Sequence, residues 1–87
     1  SAGAVAQEPV RIGAMYPLTG GGAIYGVPAM AGHQLAIEEI NKRGGIMGRK
    51  IEVITEDNKS EPQEAVTVYR KMISDKADIF LSGCVSA

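Results

Sequence analysis

The chain has no tryptophan, one phenylalanine and three tyrosines in 87 residues. That leaves too few aromatic faces for a base-stacking platform. It has no excess of either charge, since nine Lys and Arg face ten Asp and Glu for a formal net charge of −1. The basic footprint that nucleic acid or an anionic membrane surface requires is therefore missing. His33 and Cys84 are the only residues of their kinds, with no ligand spacing between them, which argues against a metal centre. Cys84 cannot form an internal disulfide; it is either a buried thiol or half of a bridge to something outside this sequence. No apolar run approaches the roughly 18 residues of a membrane span. A small molecule or another protein remains as the partner class.

What is present is a globular composition, 45% apolar and 22% charged, in a chain shorter than the usual domain of roughly 100–150 residues. Residues 1–8 read as a disordered terminus. Within it, Ala4-Val5-Ala6 fits the small-residue pattern of a signal-peptidase site, with Gln7 as first mature residue, so this segment is either a signal-peptide remnant or a flexible Ala-rich terminus.

From Val10 onward the hydrophobic pattern alternates between strand and helix periods. Val10 to Tyr16 reads as a strand stopped by Pro17. A Gly-rich loop follows, and a first helix is expected from about Tyr25 or Val27 to Arg43, with Pro28 in its first turn. Ala29, Leu35, Ala36, Ile37 and Ile40 form its apolar stripe, and Gly44 its left-handed cap. Lys50 to Glu56 alternates apolar and charged residues, as an edge strand does. Ser60-Glu-Pro-Gln63 predicts a helix start, with Ser60 as N-cap and Gln63 closing a capping box. Ala65, Val66, Tyr69, Met72 and Ile73 then give one buried face. Asp78 to Gly83 reads as a short, buried strand.

The order β-α-β-α-β predicts an α/β fold with parallel strands and right-handed crossovers. With the second strand at the edge, the spatial order is 2-1-3. Winding then reverses between strands one and three, and the loops after them part to leave a crevice. Two helices cannot cover both faces of a complete parallel sheet, so the chain reads as the beginning of a larger lobe.

Catalytic constellations are poorly supported. Gly20-Gly-Gly-Ala-Ile-Tyr-Gly26 lacks the Gly-Lys-Ser/Thr of a phosphate loop and fails the G-x-G-x-x-G spacing. Glu38–Glu39 and Glu56–Asp57 are sequence neighbours whose side chains diverge. Asp57 reads as a turn residue or N-cap helper, and His33 as a surface or boundary residue of the first helix. No nucleophile-elbow sequence accompanies Ser86. The Gly-rich loop is better suited to bringing backbone N–H groups close to a carboxylate or amide. Tyr25 beside it either covers an apolar ligand or packs against the helix.

Taken in succession, Pro17-Leu-Thr-Gly20, Tyr25-Gly26, Ile37-Glu-Glu-Ile-Asn41, Gly44-Gly-Ile-Met-Gly48, Asp57-Asn-Lys-Ser-Glu-Pro62, Ala65-Val66 and Gly83-Cys84 resemble the periplasmic solute-binding proteins of the branched-chain amino-acid, amide and urea class. The resemblance implies a type I periplasmic binding fold of two hinged α/β lobes. Residues 9–87 would form the N-terminal portion of the first lobe, a βαβαβ three-layer sandwich. It also implies a non-enzymatic, exported component of an ABC importer, which captures a small solute by lobe closure and hands it to a membrane permease without a cofactor. The same lobes occur in sensory receptor ectodomains, and a flavodoxin-like enzyme or receiver module is the rival outside the class.

By the resemblance, Thr19, Tyr25, Cys84, Ser86 and Ala87 are the ligand-binding positions: Tyr25 over the ligand, Ser86 or the Ala87 N–H on its polar head. Gly83-Cys84 followed by a serine is similar to the amide- and urea-binding branch. Branched-chain amino-acid binders commonly carry a cysteine near the position of Ser60, so the serine here weakens a leucine assignment.

Overall fold

A computed structural model of the chain describes residues 8–82. Five elements follow in the order β1 (Val10–Tyr16), α1 (Ala23–Lys42), β2 (Ile51–Asp57), α2 (Pro62–Ser74) and β3 (Ile79–Ser82). The strands form one parallel sheet in the order β2-β1-β3, with Val10 opposite Ile51 and Tyr16 opposite Asp57 in one ladder. In the other, Ile12 lies opposite Ile79 and Met15 opposite Ser82. This is the α/β, 2-1-3 arrangement that the hydrophobic pattern predicts. Residues 1–7 of the expected terminus 1–8, and the segment carrying Cys84, Ser86 and Ala87, lie outside the described residues.

The period-2 alternation of β1 divides its side chains between two layers. Val10 and Ile12 join Ile51 in a buried cluster, over which Ile37 and Ile40 of α1 pack with Val53 and Leu81. On the opposite face stands Gly13, where an added Cβ would lie 2.7 Å from the sulfur of Met72 in α2. Absence of a side chain at that one position lets α2 approach the sheet, and Met72 is 1% exposed as a result. Helix, sheet and helix thus make three layers.

Helix α1 begins at Ala23, a turn earlier than the position of Pro28 suggests, so Pro28 lies inside the helix. The carbonyl it leaves without an i+4 donor belongs to Ile24, a residue 70% exposed, in the first turn of the helix. The end of α1 follows the pattern closely. Gly44 N–H bonds the Asn41 carbonyl and Gly45 N–H the Ile40 carbonyl, with φ of 102° and 84°. This double closure is a Schellman motif, which satisfies the last carbonyls of the helix and turns the chain toward β2.

The structure corrects three of these expectations. Leu35 and Ala36 are exposed, so the buried stripe of α1 is narrower than the apolar residues suggest. In α2 the buried residues are Val68 and Met72, whereas Val66, Tyr69 and Ile73 are about half exposed. The predicted face was rotated because this helix is apolar over more of its circumference than the sheet covers. β3 is only half-buried, and its outer side meets no strand among the described residues.

Candidate functional site at the carboxyl ends of the strands

The carboxyl ends of β1 and β2 are joined by their loops. β1 ends at Tyr16, whose ring is buried and whose hydroxyl lies 2.6 Å from Nδ1 of His33 in α1. Burial pushes the Tyr16 hydroxyl above its ordinary pKa, so it stays protonated at neutral pH and shares a hydrogen bond with the imidazole. His33 is thus the half-buried boundary residue that its mid-helix position suggests, and its role is to hold α1 on β1.

Pro17 then turns the chain beneath the start of α1. An added Cβ on Gly26 would lie 2.0 Å from the Pro17 carbonyl oxygen, so only glycine fits where helix and loop cross. The loop from Pro17 to Gly22 is tied to the turn after β2. Leu18 N–H donates to Asp57 Oδ1 at 2.8 Å, and the Thr19 hydroxyl to Oδ2 at 2.7 Å. The Ser60 hydroxyl accepts from Gly22 N–H at 2.9 Å and donates to the Thr19 carbonyl at 2.8 Å.

The turn carrying these acceptors is itself strained. Lys59 and Ser60 have φ of 58° and 59°, a left-handed backbone that costs a non-glycine residue roughly 1–2 kcal/mol. Side chains hold it there: Asp57 Oδ1 accepts from Lys59 N–H at 2.7 Å, and Asn58 Oδ1 from Ser60 N–H at 2.9 Å. Partial burial acts to raise the Asp57 pKa, but the hydrogen bonds from Thr19, Lys59 and Leu18 outweigh it and hold the carboxyl below its ordinary value.

Ser60 is therefore not the N-cap of α2. Glu61 occupies that position with no side-chain cap bond, and Pro62 opens the helix. The predicted capping box fails because the Ser60 hydroxyl is taken by a loop 41 residues away in sequence, a partner that no local pattern reveals.

Of the five residues predicted to meet a ligand, two are described. Tyr25 stands in the first turn of α1 and is 63% exposed, with no ring partner among the described residues. It projects beside the Gly-rich loop at the carboxyl end of the central strand. Thr19 is exposed in that loop, but its hydroxyl is committed to Asp57. Of the N–H groups in and after this loop, Leu18 and Gly22 give theirs to side chains at and just after the end of β2, and Tyr25 and Gly26 give theirs to the Gly22 carbonyl. Asp57 and Ser60 as loop anchors were missed from sequence. The signal that points to them is Asp-x-x-Ser immediately after a strand, a pattern that equally suits local capping.

Residues 9–87 match the family described as periplasmic binding protein, and the chain belongs to that family. Its sequence is 39% identical over 71 residues to the Leu/Ile/Val-binding protein BraC3 of Rhizobium johnstonii, covering 82% of this chain and 19% of the relative. Among solved structures it is similar to the branched-chain amino acid transporter substrate binding protein LivJ of Streptococcus pneumoniae in complex with isoleucine. The TM-score is 0.81 at 40% identity, over 83% of this chain and 21% of that one. A fatty acid ABC transporter substrate-binding protein from Thermomonospora curvata gives a TM-score of 0.73 at 37% identity, over 78% of this chain and 18% of that one. The chain spans about a fifth of the length of these relatives. What it shares with them is the opening βαβαβ unit of the N-terminal lobe.

Proposed function

We propose that residues 9–87 are the N-terminal portion of the first lobe of an exported, periplasmic substrate-binding component of an ABC importer. It captures a small amino-acid-like solute between two lobes and delivers it to a membrane permease, with no bond made or broken. The observation that carries this reading is the exposed Tyr25, set at the start of α1 beside the β1 loop in a 2-1-3 sheet. In such sheets ligands bind where the strand order reverses, outside the carboxyl ends of the strands. An aromatic ring there supplies apolar area and one hydroxyl at low entropic cost. Ser86 and Ala87, which follow β3, are proposed to contact the polar head of the same ligand, with Cys84 and Thr19 beside it.

Two solute classes fit. Relatives bearing the name Leu/Ile/Val-binding support an aliphatic amino acid. Ser60 in a position where such binders commonly carry cysteine, and Gly83-Cys84 ahead of Ser86, support an amide or urea instead. A thermal-shift panel of leucine, isoleucine, valine, alanine, acetamide and urea on the full-length protein separates them. A true ligand at a hundredfold excess over Kd stabilises by about 2.7 kcal/mol, a rise of several degrees in Tm. No shift with any member of the panel removes the proposal.

A further inference from the structure

We propose that Asp57 and Ser60 are positioning residues for the solute, latching the Pro17–Gly22 loop, and with it Tyr25, in the conformation that receives the ligand. This rests on the solute-binding reading above.

The latch reaches the whole length of the loop. Asp57 holds its start through Leu18 and its middle through Thr19, and Ser60 holds its middle and end through the Thr19 carbonyl and Gly22 N–H. The loop's own backbone supplies little: the bond that closes it runs from Ala23 N–H to the Gly20 carbonyl. Three consecutive glycines lose more conformational freedom on ordering than any other residues. Without outside ties, a ligand would have to order this loop as it bound, and affinity would fall accordingly.

The strain described above fits the same purpose. The left-handed turn at Lys59 and Ser60 brings the Ser60 hydroxyl beneath the loop, and Asp57 Oδ1 serves both this turn and Leu18. One carboxylate thus shapes both loops. The fit is close: added Cβ atoms on Gly20 and Gly22 would each lie 3.1 Å from the Ser60 oxygen.

The ionisable groups nearest Asp57 are accounted for elsewhere. Tyr16, opposite it on β1, bonds His33 of α1. Glu56 pairs with Lys71 of α2 at 2.6 Å, and Lys59 contributes its backbone N–H. Among the described residues no cation pairs with the Asp57 carboxylate, so its bonds are available to the two loops alone.

The test uses the full-length protein and the strongest solute from the thermal-shift panel. Asp57→Ala and Ser60→Ala are each expected to raise Kd about tenfold, the scale of one or two lost hydrogen bonds. Asp57→Asn keeps the Oδ1 acceptor and sets an amide donor against the Thr19 hydroxyl, so its Kd stays within about threefold of wild type. Lys71→Ala, which removes an exposed pair on the α2 face, leaves Kd unchanged. Should Asp57→Ala fail to fold by circular dichroism, Ser60→Ala carries the test. A wild-type Kd in Ser60→Ala, or binding by Asp57→Asn as weak as that by Asp57→Ala, overturns the proposal.

Hydrogen exchange in the ligand-free protein supplies a second arm. Ser60→Ala should speed exchange at Gly22, and Asp57→Ala at Leu18; unchanged rates also overturn the latch. If the wild type binds no solute, the functional reading falls while exchange still decides the latch.

Discussion

At the residue scale, two glycines of α1 separate packing from propensity. Gly26 is buried and would place a Cβ against the Pro17 carbonyl, whereas an added Cβ on Gly32 meets nothing within 4 Å. Gly26→Ala is expected to cost at least about 2 kcal/mol, because backbone must move to admit it. Gly32→Ala should stabilise by up to about 1 kcal/mol through helix propensity. Urea midpoints of the two variants should shift in opposite directions; equal shifts would contradict the contact. Asp57 gives a prediction with a sign in pH. Its folded pKa is lowered, so its contribution to stability is present above the unfolded pKa and is lost as pH falls through the folded one. The stability gap between wild type and Asp57→Ala should therefore be full at neutral pH and shrink below the ordinary carboxylate range. A gap that stays constant across that acid range would assign the effect to packing.

At the element scale, the α1–β2 connection shows how an edge strand is finished. The Asn41 side chain donates to the Ile51 carbonyl at 2.9 Å and accepts from Ile51 N–H at 2.7 Å. It supplies at the start of β2 the pair of bonds that a neighbouring strand would otherwise make. Asn41→Ala should cost about 1–3 kcal/mol by leaving half-buried backbone groups without partners, read by thermal melting; a change within error would show that water replaces the amide. The elements themselves were legible because strand-like and helix-like segments alternate along the chain, and because Gly44 and Pro62 mark a helix end and a helix start. What was not legible depended on distant partners. Ser60 has every local attribute of an N-cap, yet its hydroxyl serves Thr19 and Gly22. Val66, Tyr69 and Ile73 have the right spacing for a buried face, yet the sheet takes up Val68 and Met72, and Tyr69 instead rests against Phe80 of β3 with ring centroids 4.7 Å apart. Sequence periodicity reports that a helix is apolar along a stripe but does not say which edge of a broad stripe meets the sheet.

At the scale of the whole molecule, the 2-1-3 order makes the two ends of the sheet unequal. At the carboxyl end lie the latched Gly-rich loop and the exposed Tyr25. At the amino end a polar cleft is lined by Glu8, Pro9, Arg11, Arg49, Lys76 and Asp78, with Arg49 bonded to the Glu8 and Pro9 carbonyls and Arg11 N–H to Asp78. The placement of Tyr25 and the loop after β1 was legible, because a Gly-rich segment after a strand carries its own signal. Its anchors were not, since they come from the far side of a crossover. In the proposed function, solute is received at the carboxyl end of the strands. The most direct measurement is the backbone amide spectrum of the full-length protein, recorded as the strongest solute of the panel is added. Reception at the carboxyl end predicts the largest shifts between Thr19 and Gly26, with Arg11, Arg49 and Lys76 unmoved. Shifts concentrated at the amino-end cleft, with Thr19 to Gly26 unchanged, would contradict it.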